Sequence, residues 1–323
     1  MSELNYEHVF NVLVDKTAEY VTSNNLKAMV LGISGGIDST VVAAICHEVS
    51  KKTDIPLIGR SLPIKNKEDE FSVSELVGEA FCDEFKVFNL SNSYKASLFD
   101  LCADAGLIKD CKGYDWYRVS DLEELTGRTP IANGNLQARC RMKHLYDIAS
   151  IRKGLVMSTD NQTEYQLGFW TIHGDVGDFD PIQDLWKTEV YELAKWISNR
   201  YKNIEHHHTI MTGAGSKSDA IELSIALTPT DGLGISNSDL EQIGAKSYDE
   251  VDDILSRYIP FKEYRQKHGE PLHPHDEMAE SDCWSQLCVR HGEDVVNKVW
   301  SRHLASEFKR KKAPIYISRE LYE

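Results

Sequence analysis

Glycine pairs, hydroxyls and one carboxylate crowd together in Gly32-Ile33-Ser34-Gly35-Gly36-Ile37-Asp38-Ser39-Thr40. Adjacent glycines let the backbone turn tightly and approach a ligand with no Cβ between, while Ser34, Ser39 and Thr40 add hydroxyl donors where a helix begins. Such a turn can cradle a pyrophosphate. No lysine stands in the GxxxxGK[ST] spacing, so it is not the Walker-type loop. Asp38 would repel a bound anion unless a divalent cation lay between them, which implies Mg2+. The alternative is a plain helix start with Asp38 as its cap. Farther along, Thr159 and Glu164 of "STDNQTE" follow a predicted strand end, where residues face a nucleotide crevice; a capped helix start is again the alternative.

Hydrophobic spacing gives the elements that must hold these groups. Residues 4–24 carry a stripe at Val9, Leu13, Val14, Ala18 and Val21 and close at "SNN", which predicts a helix. "LKAMVLGI" is a buried strand feeding the glycine turn, and "DSTVVAAICHEVSKKT" is the helix that leaves it. "PLIGRSLPI" and "KVFNL" are further strands with the helix "NKEDEFSVSELVGEAFCDEF" between them. "GNLQARCRMKHLYDIASIRKG" predicts a helix, "LVMST" a fourth strand and "KTEVYELAKWISNRY" another helix. This alternation predicts an α/β fold, a doubly wound parallel sheet with helices on both faces and ligands beyond the carboxyl ends of its strands. Residues 91–128 are expected to make an excursion from the sheet, with a helical pattern in "SYKASLFDLCADAG". A mobile loop is expected near 206–227, within and after "NIEHHHTIMTGAGSKSDA", and helical patterns return from Tyr248.

Composition narrows the partners. The 323-residue chain is 41% apolar with a formal charge of −15, which repels nucleic acid and anionic membranes, so a polyphosphate must be met by local cations and backbone N–H groups. No stretch approaches the roughly eighteen apolar residues of a membrane span, and "MSELNYEHVF" lacks a signal core. A soluble, cytoplasmic protein with neither nucleic acid nor membrane as partner is expected. Seven cysteines without a CxxC pair suit reduced thiols, Cys283 and Cys288 being expected in the core. Consecutive His206, His207 and His208 rarely converge on one ion and are expected in a loop.

At "SGGIDS" the chain resembles the ATP-pyrophosphatase superfamily of adenine nucleotide alpha hydrolase type, whose members split ATP between its α- and β-phosphates. "NGNLQARCRM", "STDNQTEYQLGFWTIHGD", "LWKTEVYELA", "TPTDGLGISNSDLEQIG" and "SYDEVDDIL" are similar, in order, to ammonia-dependent NAD synthetase, as is the basic "SEFKRKKAP". The resemblance implies one NAD synthetase domain over 1–323. It implies conversion of deamido-NAD (nicotinic acid adenine dinucleotide), ATP and ammonia to NAD, AMP and pyrophosphate through an acyl-adenylate. Such a route makes chemical sense, because a carboxylate has no good leaving group until AMP is placed on it.

By the same resemblance, ATP meets the loop Gly32 to Ser39 together with Thr159, Lys187 and Thr230, and Glu164 shares Mg2+ with Asp38. Deamido-NAD meets Asn135, Arg139, Tyr146, Asp175, Phe308 and Lys309, and Asp175 and Lys187 carry catalysis. Arg139 and Arg141, two residues apart on a predicted helix, point to different faces, so one phosphate does not take both. The family's "TKYGDGG" stands here as "TIHGDVG", so Ile172 and Val176 replace a lysine and a glycine. A nucleotide loop this early leaves no room for an amidohydrolase domain, and free ammonia is the expected nitrogen donor. Family members are tight homodimers, and Leu136, Met142, Leu145 and Ile148 on the "GNLQAR" helix are expected at the subunit interface, packing on its own sheet being the alternative. Rival functions are another pyrophosphatase-loop ligase, disfavoured by the acidic charge and missing CxxC, and a regulator that has lost catalysis.

Overall fold

Apolar residues continue without a polar break through β1 (Met29–Gly32), as a strand buried on both faces requires. The computed structural model describes residues 4–64, 71–108, 111–205, 216–228, 239–268 and 274–310. Among them β1 lies in a parallel sheet with β2 (Leu57–Ser61), β3 (Glu84–Val87) and β4 (Leu155–Val156) in the order β3-β2-β1-β4. Met29 stands opposite both Leu57 and Leu155, so β1 is central and β4 enters on the side away from β2. This is the expected doubly wound arrangement.

Helices follow in chain order as α1 (Tyr6–Ser23), α2 (Ile37–Thr53), α3 (Phe71–Phe81), α4 (Ser91–Asp104), α5 (Val119–Leu125), α6 (Pro130–Arg152) and α7 (Gln162–Leu167). They continue as α8 (Lys187–Glu205), α9 (Lys217–Ala226), α10 (Asp239–Ile243), α11 (Tyr248–His268), α12 (Pro274–His291), α13 (Glu293–Ala305) and α14 (Glu307–Arg310). Strand alternation sorts the cores. Met29 and Leu31 face a core built with Val41 and Ile45 of α2, Val77 of α3 and Leu193 of α8, while Val30, Ile58 and Val156 face the opposite side. There Tyr94 and Leu98 of α4, Leu122 of α5 and Met142 and Leu145 of α6 close the second core. A third cluster, with Leu167, Ile254, Leu255, Leu287, Val299 and Trp300, joins α7 to the C-terminal helices.

Three expectations change. The excursion of residues 91–128 brings α4 and α5 onto the second face, because Tyr94, Leu98 and Leu122 are buried there. Met142 and Leu145 of the stripe read as a subunit interface are also in that core, with Leu136 and Ile148 packed against it. The stripe therefore covers its own sheet. Of the stretch 206–227, Lys217–Ala226 is helix rather than loop, started by the Ser216 side chain, which accepts from Asp219 N at 3.0 Å. Its Ala220 and Ile221 enter the first core, which is what holds it. His206 to His208 and Thr230 lie outside the described residues.

Ile221 is 1% exposed, so Ile221→Ala should lower the unfolding free energy in urea by about 2–4 kcal/mol. A change under about 0.5 kcal/mol, the usual size at a surface position, would deny that α9 is part of the core.

Candidate active site

The connection that leaves β1, α2, covers one face of the sheet and the connection that enters β4, α6, covers the other, so a crevice opens where these neighbouring strands end. β1 delivers the glycine turn. Gly35 has φ +83°, and a Cβ there would come within 2.9 Å of Ser74 N, so only glycine fits. Gly36 starts α2 with no side-chain cap, leaving first-turn N–H groups for a ligand. Ile33 and Ile37 are buried in the first core, so the turn offers their backbone and not their side chains. Ser39 and Thr40 are also turned inward: Ser39 Oγ donates to Gly36 O at 3.0 Å, and Thr40 Oγ1 donates to Gly36 O at 2.9 Å beside Ser224 Oγ at 2.8 Å. Ser34 is exposed, with its Oγ accepting from Gly36 N at 3.2 Å.

β4 delivers the other wall. Asn161 caps α7, accepting from Glu164 N at 3.0 Å, while Glu164 Oε2 accepts from Asn161 N at 3.3 Å. The capped helix start read from the sequence is real, and it coexists with function. The same Asn161 crosses the crevice and donates from Nδ2 to Asp38 Oδ1 at 2.9 Å. Lys187, the first residue of α8, is 1% exposed and donates from Nζ to Asp38 Oδ2 and, at 3.0 Å, to Glu164 Oε1. Burial alone would depress its ammonium, but the two carboxylates outweigh burial and hold it well above its ordinary value. Burial also raises Glu164, with Lys187 opposing and Asp38 adding to the rise. The Tyr248 ring lies 5.6 Å from Lys187 Nζ.

More acids border this triad. Ser158 Oγ donates to Asp160 Oδ2 at 2.8 Å, and burial, then the charges of Asp175, Glu164 and Asp180, drive Asp160 strongly upward. Burial pushes Asp180 up to about 7, although Ile182 N donates to it at 3.0 Å. A carboxylate set of this kind suits a hard cation. Each oxygen of Asp38 and Glu164 accepts one described hydrogen bond and keeps a lone pair, and Mg2+ takes one or two carboxylates beside substrate phosphates. Among the described residues no group of three or more His, Cys, Asp or Glu side chains is placed to hold a metal without a substrate. The residues fit Mg2+ as a partner of bound phosphate.

A second group gathers on the loop after α7. Arg139 Nη2 donates to Ile172 O at 3.2 Å, Thr171 Oγ1 donates to Asn135 Oδ1 at 2.8 Å, and Thr171 N donates to Asp175 Oδ1 at 2.7 Å. Desolvation pushes Asp175 up to about 6, while the Thr171 bonds and the charges of Lys309 and Arg139 pull it back. Lys309 Nζ donates to Gly168 O at 2.6 Å and to Trp170 O. Tyr146 stands farther along α6, donating to Asp178 Oδ1 at 2.9 Å, and Phe308 is exposed. Thr159 is half-buried behind β4. Thus the structure unites Asp38, Glu164 and Lys187 in one cluster, and Asn135, Arg139, Asp175 and Lys309 in another. Sequence reasoning missed Asn161, Asp160 and Asp180 as site residues. The capping pattern at Asn161 was visible, but its reach to Asp38 was not.

A family model described as NAD synthase matches residues 9–313. The chain is 29% identical over 231 residues to an NH(3)-dependent NAD(+) synthetase of Campylobacter jejuni, covering 71% of this chain and 82% of the relative. To the protein of that name in Methanocaldococcus jannaschii it is 31% identical over 266 residues, 82% of this chain and 86% of the relative. Among solved structures, an NMN synthetase of Francisella tularensis superposes with a TM-score of 0.66 at 22% identity, over 98% of this chain and 100% of the other. That last likeness concerns the fold.

Asp180 holds its proton more tightly folded than unfolded, so the folded state binds more protons between about pH 4 and pH 7 and stability falls as pH rises through that window. Without nucleotide, the melting temperature should be lower at pH 8 than at pH 5.5. Asp180→Asn should remove part of that slope, on the order of 1 kcal/mol after allowing for solvent screening. An identical slope in wild type and variant, followed by scanning calorimetry, would refute the burial of Asp180.

Proposed function

The chain belongs to the NAD synthase family, and we infer from that membership that it is an ammonia-dependent NAD synthetase, a ligase amidating deamido-NAD with ammonia at the expense of ATP. NAD, AMP and pyrophosphate are its products. The observation that carries the assignment of chemistry to this crevice is Lys187 enclosed by Asp38 and Glu164 where β1 and β4 part. The open N-terminus of α2 and the backbone of Gly32 to Ser39 hold the ATP phosphates, and the family resemblance adds Thr159 as a further contact. Lys187, already desolvated and charged, turns from carboxylate to phosphate as a compact point charge. Asp38 and Glu164 would hold Mg2+, which supplies charge neutralisation for the departing pyrophosphate.

Activation precedes amidation. The deamido-NAD carboxylate attacks the α-phosphorus and becomes an acyl-adenylate, and ammonia then displaces AMP. Asn135, Arg139, Tyr146, Phe308 and Lys309 bind the dinucleotide. Asp175, its carboxyl raised toward neutrality, orders ammonia or takes its proton at the nicotinate end. The described cysteines Cys46, Cys82, Cys102, Cys140, Cys283 and Cys288 are free thiols, and no described helix is long and apolar enough to cross a membrane, which agrees with work in the cytoplasm.

We also propose a homodimer whose interface includes Ile151, 75% exposed in the last turn of α6, the helix that carries Asn135, Arg139 and Tyr146.

Without ammonia, deamido-NAD should promote exchange of labelled pyrophosphate into ATP. Asp38→Asn or Glu164→Gln should lower that exchange and NAD formation at least about 100-fold at saturating Mg2+ while the chain still melts cooperatively. Exchange indifferent to deamido-NAD would overturn the acyl-adenylate, and faster turnover of nicotinate mononucleotide would overturn the dinucleotide as substrate. For assembly, Ile151→Glu should convert dimers to monomers in sedimentation and weaken deamido-NAD binding more than ATP binding. A wild-type monomer at micromolar concentration that binds deamido-NAD would exclude the interface.

A further inference from the structure

Asp252 lies in α11, among Val251, Ile254 and Leu255 of the third core, and is itself 0% exposed. An acid in such surroundings is costly unless its oxygens are satisfied, and both are, from outside its own helix. Oδ1 accepts from Thr163 Oγ1 at 2.5 Å, and Oδ2 accepts from Thr188 N at 2.9 Å. Thr163 Oγ1 in turn accepts from Lys187 N at 2.9 Å. One buried carboxylate thus receives the starts of two helices, α7, which carries Glu164, and α8, which begins with Lys187. An anion at the start of α8 also matches the helix dipole.

We propose that Asp252, acting through Thr163, is a positioning residue that fixes Lys187 between Asp38 and Glu164. The proposal rests on the reading of Lys187 as the residue that meets the ATP phosphates. A two-pronged acceptor sets both the rotation and the depth of the first turn of α8, whereas a neutral apolar contact would fix neither. Displacing a reacting group by about 1 Å costs on the order of 100-fold, so the placement is worth a buried acid.

ATP–Mg2+ affinity, measured by titration calorimetry on the full chain, tests this in wild type, Asp252→Asn, Lys187→Met and the double variant. Asparagine keeps the size but turns an NH2 toward one of the two donors. It should weaken ATP about tenfold in the wild-type background and less than about twofold where Lys187 is already methionine. The same factor in both backgrounds means that Asp252 only supports the fold, and overturns the proposal. Should Asp252→Asn fail to fold, Thr163→Val replaces it in the same cycle with the same expectation, and Thr163→Ser, which keeps the hydroxyl, should restore the affinity. Lys187→Met that binds ATP as wild type does would instead overturn the phosphate role of Lys187.

Discussion

The ammonium of Lys187, closed off from solvent and shared by two carboxylates, is the constraint around which the crevice is built. Burying three charges rarely adds stability beyond what apolar side chains of the same volume would give, while removing one of them strands the others. The arrangement is therefore explained by what it is ready to do. Asp38 arrives with α2, Glu164 with α7 and Lys187 with α8, so three separately packed helices must hold their ends in register. The first core fixes α2 and α8, and the third cluster, from α7 to α13, fixes α7.

Charge elsewhere follows the same logic on a larger scale. In a chain of −15, one group of cations is gathered around the carboxyl end of α7 and the loop that follows it. Arg302 lies 3.7 Å from the Phe169 ring centroid and donates to Leu167 O, Arg310 donates to Gln166 O, and Lys309 donates to the two carbonyls beyond. They meet the carboxyl end of α7, where its dipole is negative. The glycine turn at the opposite wall instead presents the first N–H groups of α2, which no side chain caps.

How much of this could be read from residues alone depended on range. The glycine turn was legible because adjacent glycines, hydroxyls and an acid have a local steric and electrostatic meaning, and the doubly wound sheet because strand and helix periods alternate. The apolar stripe of α6 was legible as a stripe but not as to what covers it, since periodicity is the same for a sheet and for a second subunit. "GAGSKSDA" read as a loop for its small residues, although Ser216 three residues before Asp219 is a helix-start pattern. Asp252 carries no local signal at all. Its partners Thr163 and Thr188 are 89 and 64 residues away in the chain, and only the packed third cluster brings them together.

The cations that hold the carboxyl end of α7 also set a schedule. Lys309 reaches Gly168 across 141 residues of chain, and Arg310 reaches Gln166 across 144. On the ribosome the sheet and its first two helical layers are complete in sequence long before those partners are made. Closing so long a loop is unfavourable until the segments between are already packed. The carboxyl end of α7 thus meets these cationic partners only after α13 and α14 have been synthesised, which makes its placement a late step of folding.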